Sequence, residues 1–176
     1  RADAAHIPGI DVQVGEGDTI AVGVSQATVW DTPAHTRGHI TYVFDGMAFV
    51  GDTLFVAGCG RLFEGTGDQM WTAMQRYAAL PGDTRLYCAH EYTLSNLRFA
   101  RSLEPQNPAL IAAECAAQDA RAAGRFTVPT TVEQERRINP FMRAGSAEMQ
   151  SVVGMMDAPG GTVLTEVRRR KDHFRG

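Results

Sequence analysis

Cysteine is scarce in this 176-residue chain: Cys59, Cys88 and Cys115 are odd in number and never stand in CxxC spacing. That argues against a disulfide framework or a cysteine-type zinc site, and free thiols suit a reducing compartment. No apolar run is long enough to span a membrane, and no signal peptide is visible. A basic surplus is also lacking, since the formal charge is −3; a general nucleic-acid binder normally carries one. The expectation is a cytoplasmic monomer with neither nucleic acid nor membrane as partner. The opening residues Arg1-Ala2-Asp3-Ala4-Ala5-His6 show no Met and no targeting pattern, so an upstream part is expected. What is present is ordinary. The length suits one domain or one domain plus a small annex, and the 44% hydrophobic fraction suits a globular core.

Residues 1–17 are punctuated by Gly and Pro and read as an irregular lead-in. Residues 19–24 and 27–32 are short, β-branched and flanked by breakers, which predicts strands. Residues 40–44 and 47–50 flank Asp45-Gly46, a strong hairpin signal. Asp68 is expected to cap a helix carrying Met70, Met74, Tyr77 and Ala78 on one stripe, with Pro81-Gly82 as its stop. Residues 85–88 form another short strand. Beyond Pro105 the pattern turns helical. Asn107-Pro108 opens a helix that ends at Gly124, Thr131-Val132-Glu133-Gln134 starts a shorter one, and residues 162–174 form a last amphipathic helix. The expected division is 1–105, strand-rich, and 106–176, helical.

Three segments carry chemistry. His35-Thr36-Arg37-Gly38-His39, Gly51-Asp52-Thr53 and Cys88-Ala89-His90 each place a His or Asp at the end of an apolar run. A His pair alone is more often structural. A carboxylate closing a buried strand, however, needs a cation or several donors, and imidazole with carboxylate suits zinc, iron or manganese. A carboxylate can bridge two ions, and two ions can acidify a shared water and polarise a carbonyl. The alternative is a turn-capping Asp52 and a backbone-satisfied His90, which ranks lower for the three together.

These runs, with Leu54-Phe55-Val56-Ala57-Gly58-Cys59-Gly60-Arg61, Glu91-Tyr92-Thr93, Asn139-Pro140-Phe141-Met142-Arg143 and the terminal Arg168-Arg169-Arg170-Lys171-Asp172, resemble the glyoxalase II (hydroxyacylglutathione hydrolase) family over nearly the whole chain. The resemblance implies an α/β fold. Residues 1–105 would form mainly the C-terminal half of a metallo-β-lactamase-type αββα sandwich, followed by a small helical substrate-binding domain. It implies two divalent metal ions, zinc foremost, with His35 on one, His90 on the other and Asp52 bridging. His39 would stand behind the ligands. Arg61, Phe63, Tyr92, Arg168 and Lys171 would hold the glutathione moiety, whose carboxylates favour guanidinium and ammonium donors. For Arg168–Lys171 the plain reading is a solvated helix end complementing the dipole. Phe63 stands where many relatives carry Tyr, which removes a hydroxyl donor.

The implied reaction is hydrolysis of S-(2-hydroxyacyl)glutathione thioesters, S-D-lactoylglutathione foremost, by a metal-bridging hydroxide in methylglyoxal detoxification. No separate side-chain base is named. The family's Thr-His-x-His-x-Asp-His segment, which supplies four further ligands, has no counterpart here. His6 and His173 read as ordinary surface histidines. These 176 residues alone are therefore expected to bind metal weakly, to hydrolyse little and to leave apolar sheet surface uncovered. Two rivals follow. One is a persulfide dioxygenase-like relative with a single iron, and the helical annex argues against it. The other is a catalytically incomplete binding module.

Overall fold

The computed structural model describes residue 5 and residues 7–176, so His6 lies outside the described residues. β1 (Thr19–Val22), β2 (Ser25–Asp31), β3 (Ile40–Phe44) and β4 (Met47–Gly51) pair antiparallel in chain order. β5 (Leu54–Phe55) and β6 (Gly58–Cys59) form a separate hairpin. β7 (Arg85–Cys88) joins β4 in parallel and β8 (Thr130–Thr131) adds antiparallel to β7, giving one sheet in the order β1-β2-β3-β4-β7-β8. Asp45-Gly46 makes the expected two-residue turn, with Phe44 opposite Met47 and Gly46 at φ +67°, a conformation without steric cost only for glycine.

The parallel β4–β7 pair needs a crossover, and α1 (Gly67–Ala78) supplies it. Its stripe of Met70, Met74 and Tyr77 is fully buried. The cap is Thr66 rather than Asp68. Thr66 has extended backbone, so its hydroxyl accepts from Gln69 N–H while the Gln69 side chain accepts from Thr66 N–H. Asp68 sits inside the first turn, where it favours the helix dipole. Five helices follow: α2 (Thr93–Leu103), α3 (Pro108–Ala122), α4 (Val132–Ile138), α5 (Ala147–Val153) and α6 (Gly160–His173). Asn107 caps α3 through Oδ1, and Gly124 takes φ +69° just beyond its end. The final helix starts at 160, two residues earlier than the pattern predicts.

The region after 105 is not purely helical, because Thr130–Thr131 covers the edge of β7 that would otherwise be unpaired. The main core runs across residue 105. Ala48, Val50 and Leu86 from the sheet share it with Met70 and Met74 of α1, Phe141, and Val163, Leu164 and Val167 of α6. A second cluster joins Val56 and Ala57 to Leu97, Leu110 and Ile138. On the other sheet face Phe44, Phe49 and Tyr87 form an aromatic row, Phe49 lying 5.8 Å from Phe44 and 5.1 Å from Tyr87. Phe49 remains 43% exposed. No helix among the described residues is long and apolar enough to cross a membrane.

Glu135 on α4 is the one buried acid among the described residues. Burial pushes its carboxyl up from 4.5 to about 7, against the pull of donors from Thr130, Asn139 and Ala57. The unfolded chain ionises this group freely above about 4.5 while the folded chain resists. Its contribution to stability is therefore complete at low pH and is lost as pH rises through about 7. Denaturant titrations between pH 4.5 and 7.5 should show a falling component that is absent from Glu135→Gln; identical slopes in both proteins would refute this assignment.

Candidate metal and anion site

Two strand ends meet here. Ala89 N–H donates to Gly51 O at 3.0 Å, lacing the turn after β7 to the turn after β4. Gly51 has φ +51°, and a Cβ there would lie 2.6 Å from His39 Nε2. Only glycine lets the chain turn this way with the imidazole behind it. His39 Nε2 accepts from Asp52 N–H at 3.1 Å, so the ring proton resides on Nδ1, facing the hydroxyls of Thr32 (3.1 Å) and Thr53 (2.9 Å). Burial lowers the pKa of His39 and His35 adds to that, with Asp52 opposing, which keeps the ring neutral. His39 thus holds the Asp52 backbone without facing the cavity.

His35 is oriented from the opposite side. Its Nδ1 lies 2.9 Å from Arg61 O. A carbonyl only accepts, so Nδ1 carries a proton and Nε2 is the ring nitrogen turned to the cavity. His35 Nε2 is 3.9 Å from Asp52 Oδ2, while His90 Nε2 is 3.2 Å from Asp52 Oδ1. Oδ1 is buried and accepts no hydrogen bond. An imidazole nitrogen facing a carboxylate oxygen is favourable when it carries a proton or when a metal cation lies between the two. Zinc bonds of ~2.0–2.2 Å to both atoms hold such a pair roughly 3–3.5 Å apart, which fits the His90 pair and is somewhat shorter than the His35 pair. Among the described residues no three His, Cys, Asp or Glu side chains close around one point. The reason is visible in the distances. Each histidine addresses a different Asp52 oxygen, so the set is two half-sites sharing one carboxylate. The donors fit divalent ions in that sense.

Gly60 forms the floor. A Cβ there would collide with Asp52 O and come within 2.9 Å of His35 Nδ1. The Tyr92 ring stacks on His90 at 4.9 Å and 17°, and Phe55 closes on Tyr92 edge-on at 5.2 Å.

His35, Asp52, Phe55, Gly60, His90 and Tyr92 line one cavity of about 540 Å³, together with Arg61, Phe63, Arg168 and Lys171. Sequence reasoning gave no role to Ser95, Asn96, Asp172, Phe174 or Arg175, which also line it. The basic run pointed towards Arg175, but nothing local marks Ser95. Arg168 is buried, with Nη1 donating to Cys59 O at 2.8 Å, Nη2 to Asp172 Oδ1 at 3.0 Å, and Nε without an acceptor. Arg61 Nε lies 3.6 Å from the same Asp172 oxygen and is largely exposed. Phe63 is exposed, its ring 5.0 Å from that of His35. Lys171 Nζ donates to Ser95 O at 2.9 Å and lies over the rings of Phe99 and Phe174. Burial, with help from Arg168 and Arg98 and against Asp172, lowers its pKa to about 8. His173 is exposed and engages only Arg169 O.

Residues 3–105 match the profile "Metallo-beta-lactamase superfamily". The fold is shared with crystal structures of ETHE1 from Myxococcus xanthus (TM-score 0.56, 25% identity, 93% of this chain and 61% of that one) and of the BLEG-1 B3 metallo-beta-lactamase (TM-score 0.50, 20% identity, 75% and 48%). The class is therefore that superfamily, whose members bind divalent metal. Residues 91–174 match "Hydroxyacylglutathione hydrolase C-terminus". The chain is 49% identical to the hydroxyacylglutathione hydrolase of Maricaulis maris, covering 99% of this chain and 69% of the relative, and 49% identical to that of Rhodospirillum rubrum, covering 98% and 68%. The chain belongs to the hydroxyacylglutathione hydrolase family.

An anion entering the cavity meets the Lys171 ammonium only while it is protonated. Glutathione affinity measured by calorimetry should fall as pH rises through about 8, and Lys171→Met should lack that component. A pH profile shared by both proteins would remove Lys171 from the anion site.

Proposed function

We propose that this cavity hydrolyses S-(2-hydroxyacyl)glutathione thioesters to glutathione and a hydroxy acid, with S-D-lactoylglutathione as the main substrate. The observation that carries the proposal is the Asp52 carboxylate set between His35 Nε2 and His90 Nε2 in the same cavity as Arg61, Tyr92 and Lys171. His35 and His90 would each hold one divalent ion, zinc in this reading, and Asp52 would bridge them. Ions held there lower the pKa of water and polarise a carbonyl.

The protein's own part is placement. Arg61 and Lys171 receive the glutathione carboxylates through charge-assisted hydrogen bonds. Arg168 has both Nη groups committed to Cys59 O and Asp172, so it contributes positive charge beneath the ligand and braces the wall. Tyr92 supplies an aromatic face beside His90, and Phe63 covers His35 without offering a hydroxyl. His39 fixes the Asp52 backbone. Residues 106–176 would serve mainly as the substrate-binding part, and the enzyme is read as a cytoplasmic monomer. The hydrolase relatives at 46–49% identity support this reading over an iron dioxygenase.

In the complete enzyme, Asp52→Ala should lose metal and thioesterase activity together, by metal analysis and a thioester assay; retained metal with full turnover would sink the bridging role. A catalytic zinc usually takes three protein ligands, and two ions sharing His35, Asp52 and His90 have fewer. The 176 residues by themselves should therefore bind zinc weakly and turn over little. Tight binding of two zinc ions per chain, measured by calorimetry, would contradict this.

A further inference from the structure

Four backbone polar groups at the tip of the β5–β6 hairpin are satisfied by side chains from three later positions. Asn139 Nδ2 donates to Gly58 O at 2.9 Å and lies 3.3 Å from Phe55 O. Asn96 Nδ2 donates to Val56 O at 3.1 Å. Ala57, in the left-handed region at φ +53°, donates its N–H to Glu135 Oε2 at 2.9 Å. Glu135 and Asn139 are both fully buried, and they are joined by Asn139 Nδ2 to Glu135 Oε2 at 2.8 Å. Thr130 Oγ1 donates to Glu135 Oε1 at 2.7 Å, and Asn139 Oδ1 accepts from the N–H groups of Phe141 and Met142. Every carboxyl and amide oxygen of the pair is engaged.

The hairpin is the link between the metal-ligand turn and the cavity wall. Asp52 and Thr53 enter it, and Cys59, Gly60 and Arg61 leave it. Gly60 N–H returns to Thr53 O at 3.3 Å, and Arg61 O receives His35 Nδ1. Gly60 has no spare room against Asp52 O and His35. A hairpin that shifts by a few tenths of an ångström therefore moves the Asp52 backbone and the carbonyl that orients His35 together.

We propose that Glu135 and Asn139 are positioning residues for the metal site. They act from the C-terminal helical region through the β5–β6 hairpin to set the separation of Asp52 and His35. This rests on the metal-site reading above. It gives Asn139-Pro140-Phe141 a role that its sequence did not suggest. The structural alternative is that the pair only contributes to stability. Groups that orient metal ligands typically change metal affinity about 10- to 100-fold when removed, whereas a distant core truncation does not.

Cobalt(II) affinity, followed by absorption, would be measured for the parent chain, Glu135→Gln and the control Met149→Ala, which truncates a residue buried on α5. Amide hydrogen exchange at Ala57 and Gly60 would be read in the same proteins. Glu135→Gln should weaken cobalt binding about 10-fold or more and speed exchange at both amides, while Met149→Ala lowers the melting temperature and leaves both nearly unchanged. Equal effects of the two substitutions, or none from Glu135→Gln, would overturn the proposal. If Glu135→Gln does not fold, Thr130→Val withdraws one donor from the same carboxyl, and it should shift both readouts in the same direction by a few-fold; no shift overturns the proposal. A parent chain that binds no cobalt refutes the metal reading, and the exchange comparison then decides the clamp by itself. Thioesterase turnover is not a readout of this test, because these 176 residues by themselves are expected to turn over little whether or not the pair positions the metal site.

Discussion

A carboxylate at the end of a buried strand has to be stabilised, and the organisation around Asp52 follows from that requirement. Its backbone N–H is taken by His39, and one of its oxygens is buried without a hydrogen bond. The two neighbouring imidazoles lie near different oxygens. In a protein interior an uncompensated carboxylate costs far more than a hydrogen bond returns. The glycine at 51, the neutral His39 and the Gly60 floor are each needed for the carboxylate to stand there. A cation between the carboxylate and the imidazoles would supply the missing compensation.

The same requirement explains why the two halves of the chain are not independent. A six-residue hairpin has too little apolar surface to hold itself, and its tip must turn through a left-handed alanine. Left-handed backbone at a residue with a Cβ persists only where its surroundings enforce it. Here the enforcing groups come from α2 and from the α4 segment. The edge of β7 is closed by two residues that arrive with α4. Residues 106–176 thus contribute both part of a cavity wall and hydrogen bonds that hold the β5–β6 hairpin.

What could be read in the sequence was whatever had a local cause. Asp45-Gly46 marked a hairpin because a two-residue turn needs positive φ. Asn107-Pro108 marked α3 because the cap and the fixed φ of proline lie side by side. His35, Asp52 and His90 stood out because each ends an apolar run. The elements that escaped had no such local mark. α2 follows Tyr92 with no side-chain cap, β5 and β6 are two-residue strands whose hairpin is held by side chains far along the chain, and β8 is a two-residue strand paired with the distant β7. α5 did carry a signal, Ser146 at its start and Gly154 in the left-handed region at its end, and it was missed. Glu135 was invisible for a different reason. An acid three places after a capping residue's neighbour looks like helix surface, and only the fold shows that it is buried.

The basic run at the end of α6 separates a general explanation from a specific one. Positive charge in a last helical turn is favoured by the dipole, which is worth roughly 0.3–1 kcal/mol per exposed group. Arg169 fits that view, since it is exposed and paired with Glu166. Lys171 does not. The dipole and Asp172 favour its charged form, yet burial and the neighbouring arginines outweigh them and lower its pKa to about 8. A helix end that needed only positive charge would leave the ammonium in water. Lys171 is instead drawn over two aromatic rings and held by Ser95, where an incoming carboxylate would relieve the unfavourable burial. The chain is acidic overall, so the positive potential of the cavity is local. A local field of that kind selects anionic ligands by focusing them at one opening.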